Sequence, residues 1–586
     1  MESNSYPYTP LSSDEIRYLS VRALDQSVGV VQCDLHQASI KEVEGRLTAL
    51  SYVWGDASAT QTIQLRGHPF EVTTNLEASL RQFATNPKQQ QSCLWVDAIC
   101  INQDDVEERN IQVRRMKDIY SLAESVIAWL GPATHHSHIA MHWLQNISPS
   151  EIEDMVKQED KNRMIEAWAY ICQDDAVETL PDVVQRPYWH RTWILQEIIL
   201  GRKVRLLCGD DEVALEKLSA VCSLMKQYLI HVMSGGERDR FPELYGLMME
   251  FFKSGVSTIL GFNHTGPRNI AYLVNKFNGY RCSDLRDKVY GLLGICNRSE
   301  ADIIIPDYNR PVAKVYADTV EAHIRSFGDL EIMAYVLFNE KRDPCHPSWV
   351  PDWQLFINRP ARLGNGSGDF AASNNLHLSS HPWSLDRKAE RLDLTGACLD
   401  TIITLGTTLK LDYTSAVSDK IVDAATDIMR LVYHGLTHDP SEDGFTSKFL
   451  QGVDVPTYAL NDNEPLDHAC RRTLLAGRDG SGDEEGCAAQ SPFMMVLPGE
   501  EGRQNADGSL YTHDDMFMTC AVSLNYKRLA ITSKGWIGLV PEATEIGDHV
   551  AVLIGASTPF ILRKAPARGM PDVGGRKARQ DSKNRR

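Results

Sequence analysis

CLWVDAICINQDDVEERNIQVRRMKDIYSLAESVIAWLG, residues Cys93–Gly131, is the stretch whose reading decides the fold. Leu94 to Ile101 is a short apolar run with β-branched and aromatic members, the pattern of a strand buried on both faces of a sheet. It stops in polar residues. Asp104 or Asp105 can cap a helix by accepting from orphan backbone N–H groups, and the acids that follow suit the positive end of the helix dipole. Val113, Met116, Tyr120 and Ala123 then recur at helical spacing, and a second apolar run, Val126 to Leu130, closes at Gly131. The spacing predicts a parallel strand, helix, strand unit with Asp97, Asn102 and Gln103 at the carboxyl end of its first strand. That edge is where open α/β sheets usually hold their ligands.

The same grammar extends towards the N-terminus. Ile16 to Leu24 is a short apolar segment, and Val28 to Leu35 and Arg46 to Gly55 read as strands. Thr62 to Leu65 and Phe70 to Val72 flank the turn Arg66 to Pro69 as a hairpin, and Asn75 is placed to cap a helix running to Phe83. Strands alternating with helices predict a parallel α/β sheet.

After Gly131 the pattern turns helical through Ile139 to Leu144 and Met164 to Cys172. In Gln185 to Leu200, Pro187 suits the first turn of a helix carrying Trp189, Trp193, Glu197 and Leu200, and Lys203 to Cys208 reads as another strand. A mainly helical region follows, with Leu215 to Met233, Leu244 to Phe252 and Ile270 to Phe277 as its helices and the rigid aromatic block Pro347 to Trp353 near its end. Gly364 to Ser380 reads as a linker, Leu392 to Leu405 and Phe517 to Leu562 as a small β-rich module, and Lys564 to Arg586 as a disordered basic tail. The expected division is a lead-in at 1–43, an α/β domain at 44–210, the helical region at 211–362, a linker at 363–382, a C-terminal α+β module at 383–563 and the tail at 564–586.

With 586 residues the chain is too long for one ordinary core. A formal net charge of -18 opposes broad phosphate neutralisation, so nucleic acid is not an expected partner. Its 13 cysteines show no CxxC pair or Cys/His cadence, which predicts a reduced, intracellular protein without a zinc module. The first residues lack a basic start leading into an apolar core, and no segment reaches the roughly twenty apolar residues that span a bilayer, so neither a secretory signal nor a membrane span is expected.

Among chemistry-bearing residues, His135, His136 and His138 lack an acidic or thiol partner at ligand spacing and read as a solvated loop rather than a metal site. Most of Trp54, Trp95, Trp129, Trp189 and Trp193 read as core or pocket wall. Asp97 could bind a ribose or cap a loop, and the spacing does not rank these; Glu108 and Arg109 in a first helical turn are explained by the dipole. Glu197 stands four residues after Trp193 among Ile194, Leu195, Ile198 and Ile199, so a partly buried carboxylate beside an aromatic is one reading. The other is a surface ion pair with Arg191 or Arg202, and spacing alone favours it.

Three blocks together, ALSYVWGD (Ala49–Asp56), LWVDAICINQDDVEERNIQVRRMKDIYSLAESVIAWLG (Leu94–Gly131) and RPYWHRTWILQEI (Arg186–Ile198), resemble the fungal heterokaryon incompatibility (HET) domain family. DLRDKVYGLLGI (Asp284–Ile295), PSWVPDW (Pro347–Trp353) and GDHVAVLIGASTPFILR (Gly547–Arg563) resemble later blocks of long members. Those members continue with a further Gly- and aromatic-containing strand, where this chain runs into KAPARGMPDVGGRKARQDSKNRR.

The resemblance implies a cytoplasmic effector of fungal non-self recognition and cell death, with protein partners and homo-oligomerisation on activation. It also implies a flavodoxin-like fold distantly similar to Toll/interleukin-1 receptor (TIR) domains, many of which cleave NAD through a glutamate in a WxxxE pattern. Trp193 to Glu197 has that spacing. On this reading Glu197 is the catalytic carboxylate, Ser51, Tyr52, Trp54, Asp97 and Trp193 form the substrate pocket, NAD is substrate rather than cofactor, and no metal is required. The competing expectation is a non-catalytic, self-associating signalling or adaptor module.

Overall fold

The computed structural model describes residues 6–24, 29–87, 93–157, 175–235, 251, 254–262, 268–336, 338, 341–355, 372–373, 376–388, 390–406, 408 and 527–564. Its N-terminal half is built on nine strands: β1 (Glu15–Val21), β2 (Gln32–Ser39), β3 (Thr48–Tyr52), β4 (Thr60–Leu65), β5 (His68–Thr73), β6 (Leu94–Trp95), β7 (Ser125–Gly131), β8 (Val204–Cys208) and β9 (Asp211–Ala214). They form one mixed sheet in the order β5-β4-β2-β1-β6-β3-β7-β8-β9. Its centre, β6-β3-β7-β8, is parallel, as alternation of strands with helices requires. β1 and β2, from the N-terminal stretch, pair antiparallel with each other, and β1 joins β6 at Leu19↔Leu94, so these strands lie inside the same sheet.

Four helices come with the first seven strands: α1 (Ile40–Val43), α2 (Thr74–Thr85), α3 (Asp97–Cys100) and α4 (Val106–Leu122). Every residue of β3 and β7 is buried, so their near-continuous apolar runs are those of strands covered on both faces. α4 starts where the sequence put it, with the Asp105 carboxylate accepting from the Glu107 and Glu108 amides, and it buries Val113, Met116, Ile119 and Tyr120. The hairpin also stands. Arg66 and Gly67 both take positive φ, 50° and 82°, which gives a tight two-residue turn between β4 and β5.

Three expectations are corrected. The strand expected over Leu94 to Ile101 stops at Trp95, because the chain curls at once into α3, where the Val96 carbonyl accepts from the Ile99 and Cys100 amides. α2 is capped by Thr73, whose hydroxyl accepts from the Leu76 amide, and not by Asn75. Asn75 has tertiary work instead: it donates to the Val53 carbonyl (2.7 Å) and accepts from the Trp129 indole (3.0 Å). The single helix expected from Pro187 is two pieces, a 3-10 turn at Pro187–His190 and a helix at Ile194–Leu200.

Beyond β9 the described chain is mainly helical up to residue 336, with Leu215–Gly235, Ile270–Lys276 and Val312–Phe327 as its longer members. A smaller all-antiparallel sheet closes the described fold. Its strands β12 (Gly396–Leu405), β13 (Lys527–Thr532), β14 (Ile537–Pro541), β15 (His549–Leu553) and β16 (Phe560–Leu562) run in the order β14-β13-β12-β15-β16, beside a hairpin of β10 (Ser384–Asp386) and β11 (Arg391–Asp393). One apolar core runs from Ile16 through the helical region to Leu553 and Ala556. The architecture is therefore α/β with a large mixed sheet, a helical region and a small β-rich C-terminal sheet.

Most of Gly364 to Ser380, the helices expected at Met164 to Cys172 and Leu244 to Phe252, and the tail after Lys564 lie outside the described residues. The end of the expected linker is an exception. Leu378 is buried, and its amide donates to the Gly328 carbonyl.

Candidate functional site

β3 lies between β6 and β7 and leads on to β6, whereas β7 leads on to β8 at its other side, so chain connections diverge at the carboxyl ends of these strands. Such a divergence opens a crevice in parallel sheets. Three sequence blocks meet there. Ser51 and Tyr52 end β3, Trp54 follows in a turn closed by Gly55 (φ 77°), Asp97 opens α3 directly after β6, and Glu197 lies on the helix Ile194–Leu200.

Glu197 is 1% exposed, which removes the surface ion-pair reading. Its carboxylate accepts a short hydrogen bond from the Ser51 hydroxyl. Ser51 in turn lies 2.6 Å from the Tyr188 hydroxyl. With the Ser51 proton committed to Glu197, Tyr188 donates to Ser51, and a chain of hydroxyls ends on the carboxylate. Burial pushes the Glu197 pKa up to about 7, while the Arg191 guanidinium and the Ser51 hydrogen bond pull it back and the Asp97 charge adds to the rise. Arg202, the other candidate ion partner, instead reaches Glu44 at 3.6 Å.

Asp97 gathers the rest of the ALSYVWGD block. The Trp54 indole donates to its Oδ2 at 2.9 Å, the Tyr52 hydroxyl also hydrogen-bonds to it, and its Oδ1 accepts from the Ala98 amide at 2.7 Å. Gln103 donates to the Asp97 backbone carbonyl at 2.9 Å. Arg191 ties the two carboxylates together: it feels both Glu197 and Asp97, which keep its pKa raised against the cost of burial, and it donates to the Tyr52 carbonyl. Trp54 is 40% exposed and covers the solvent side of the cluster.

Trp193 goes elsewhere. Its indole donates at 3.0 Å to Asp287, a carboxylate that also accepts from the Tyr308 hydroxyl at 2.6 Å and whose pKa burial pushes up to about 6. The structure thus brings Ser51, Tyr52, Trp54, Asp97 and Glu197 together and turns the Trp193 side chain towards residues after the α/β sheet. Tyr188, Arg191 and Asp287 were missed as site residues, although all three stand inside the blocks PYWHRTW and DLRDKVYGLLGI. The density of those blocks was the available signal.

Other singled-out residues are structural. Glu108 receives both terminal nitrogens of Arg17 (2.6 and 3.0 Å) and the Asn102 amide (2.7 Å), so it fastens α4 to β1 rather than serving the dipole alone. Arg109 lays its guanidinium over the Tyr308 ring, 4.1 Å from the centroid. His135, His136 and His138 lie in the first turn of a helix, His135–Asn146, where His138 Nδ1 is 2.7 Å from Asp211. Trp95, Trp129 and Trp189 are core.

Residues 47–197 match the family described as Heterokaryon incompatibility protein (HET). Those residues form a HET domain. It is 25% identical over 647 aligned residues to Heterokaryon incompatibility protein 6, OR allele, of Neurospora crassa, covering 96% of this chain and 93% of that one. No solved structure matches the chain. The matched range runs up to Glu197, the buried carboxylate of the site. Among the described residues no helix is long and apolar enough to cross a membrane.

Proposed function

We propose that this HET protein is a cytoplasmic effector of fungal non-self recognition whose activation leads to cell death, and that it acts by hydrolysing NAD at a TIR-like site centred on Glu197. The observation that carries the chemistry is the buried Glu197 carboxylate, held by Ser51 and flanked by Arg191 and Asp97 at the sheet edge. Nicotinamide leaves NAD as a neutral base, taking the electron pair of the N-glycosidic bond. A water oxygen then bonds to the ribose anomeric carbon and its proton is lost to solvent, giving ADP-ribose, nicotinamide and H⁺. Such a reaction needs a negative charge beside the oxocarbenium-like transition state more than a strong general acid. Glu197 supplies that charge once ionised, Asp97 is placed for a ribose hydroxyl, and the exposed Trp54 offers a wall for the ring.

The test is incubation of the purified full chain, concentrated or clustered, with NAD and chromatographic assay of nicotinamide. Release by wild type and its loss in Glu197→Ala supports the reading; no release, or equal release from both, overturns it. A specific observation favours a second reading. Glu197 is 1% exposed and its partners are all internal, as in a structural carboxylate of a self-associating adaptor. On that reading Glu197→Gln leaves cell killing intact while substitutions on a helix surface abolish it.

A further inference from the structure

The segment that carries Glu197 to the sheet, Tyr188–Glu197, is gripped from behind by chain that lies outside the family match. Arg281 pairs with it as one rung of a parallel ladder: the Arg281 amide donates to the His190 carbonyl, and its carbonyl accepts from the Thr192 amide (2.9 Å) and hydroxyl (3.2 Å). This rung lies where the helix expected from Pro187 is broken, at Arg191, whose backbone is extended (φ -80°, ψ 138°) to meet it. Two side chains complete the grip: the Trp193 indole on Asp287, and the Gln196 amide on the Tyr290 carbonyl at 3.1 Å.

Three glycines show how close the approach is. A Cβ on Gly255 would fall 1.9 Å from the Trp189 carbonyl oxygen, one on Gly294 2.1 Å from the Gln196 Oε1, and one on Gly291 2.8 Å from the Thr192 Cγ2. Contacts this tight at three separated positions define a single docked arrangement rather than a loose cover. The gripping chain is itself braced, since buried Lys288 donates to the Asn278 and Tyr280 carbonyls (both 2.6 Å) and the Tyr280 hydroxyl donates to the Gly255 carbonyl.

We infer that residues 254–262 and 268–294 are an intramolecular clasp that holds Tyr188–Glu197 against β3 and keeps the Glu197 pocket closed, so that a ligand reaches Glu197 only after the clasp lets go. On the sheet side the segment is held by the Ser51 and Tyr188 hydroxyl chain and the Arg191 contacts, which a polar ligand can replace, and by the packing of helix Ile194–Leu200 on α4 and β7, which opening has to loosen. The clasp side is held by backbone pairing, two side-chain hydrogen bonds and close packing that no small ligand reproduces. Release of the clasp is therefore the step that an activating partner or self-association would have to bring about. The consequence for activity rests on the NAD reading, but the clasp itself does not.

Two opposed sets of variants of the full chain test it. Gly294→Ala and Asp287→Asn loosen the clasp; Thr192→Cys with Gly291→Cys locks it, since a Cβ on Gly291 lies 3.7 Å from the Thr192 Cβ, within disulfide reach after a small shift from the Asp287 carbonyl oxygen. Amide hydrogen exchange, read by mass spectrometry, is expected to rise about tenfold in peptides covering 188–200 of the loosened variants while α4 and β7 stay protected. Nicotinamide release and cell killing are expected to rise with it, and nicotinamide release by the purified locked variant to vanish when it is oxidised and return on reduction. Unchanged exchange at 188–200, exchange raised equally throughout the sheet, or a locked variant as active as wild type would overturn the clasp. Raised exchange confined to 188–200, with no nicotinamide from any variant, supports the clasp and counts against NAD hydrolysis alone.

Discussion

The Ser51 hydroxyl donates to the Glu197 carboxylate across 146 positions of sequence, joining the carboxyl end of β3 to the last residue of the family match. That bond puts a titratable group with a raised pKa, about 7, inside the sheet edge. Because the carboxyl binds its proton more tightly in the folded chain than at its ordinary value of 4.5, the stabilisation is full below pH 4.5 and is lost as pH rises through about 7. The loss amounts to about 3 kcal/mol at roughly 1.4 kcal/mol per pK unit. Thermal melts of wild type and Glu197→Gln between pH 5 and 8 check it: the wild type is expected to lose stability over this window relative to the Gln variant, and the two curves should run parallel above pH 8.

Ser51→Ala sharpens the same point. The hydroxyl favours the ionised carboxylate, so its removal is expected to move the Glu197 midpoint above 7. If nicotinamide release requires the carboxylate, the rising limb of its pH profile shifts upward in Ser51→Ala, and activity recovers partly at alkaline pH. A flat loss of rate at every pH would assign Ser51 to geometry instead. Reading the midpoint by carboxyl infrared absorption in both proteins separates the two.

How far the sequence carried the fold can be seen residue by residue. β3, α4 and β7 were legible because each is written in local terms: an unbroken apolar run, an Asp105 cap and a 3.6-residue stripe. The early end of β6 was not, since Val96 to Ile101 is as apolar as any strand and the turn into α3 is decided by tertiary contacts. Thr73 and Asn75 are both capping residue types two positions apart, and the choice fell to Thr73 because Asn75 is needed between Val53 and Trp129. The break at Arg191 is paired with Arg281, ninety residues on, which no local pattern encodes. At the site, the spacing of Trp193 and Glu197 identified the right helix but implied one shared pocket, whereas the indole and the carboxylate have separate partners, Asp287 and Ser51.

The Arg17–Glu108 pair makes a stability prediction. Arg17 is 1% exposed and also donates to the Cys100 (3.0 Å) and Thr9 (2.7 Å) carbonyls, so removing Glu108 leaves a buried guanidinium without its counter-charge. Glu108→Ala and Arg17→Met are each expected to cost about 3 kcal/mol, and the double variant less than the sum, because it leaves no stranded charge. Denaturant titration of the four proteins measures the coupling. Additive losses would mean that the two ends of the bidentate contact act separately.

His323 predicts a second pH dependence, of the same sign as that of Glu197 but set at higher pH. Its buried ring lies 2.8 Å from Glu300 through Nδ1 and 2.8 Å from Asp329 through Nε2, so both nitrogens face carboxylates. Burial alone would push the pKa down, but the hydrogen bonds to Asp329 and Glu300 win and raise it to about 9. Glu300 is tied further to the Ile270 amide (2.8 Å), and Asp329 to the Glu331 amide (3.0 Å), where Leu330 and Glu331 meet Gly555 and Ser557 of the connection between β15 and β16. The charged imidazole therefore joins the helix Val312–Phe327 to that connection. Its contribution is complete below the unfolded value of about 6.5 and is lost as pH climbs through about 9, again about 3 kcal/mol by the same conversion. Hydrogen exchange at pH 7 and 9.5, corrected for intrinsic rate, is expected to show 312–336 opening at the higher pH in wild type. His323→Gln, which cannot carry the charge, should be equally open at both; protection that persists in wild type at pH 9.5 would show that the carboxylates hold the ring without its proton.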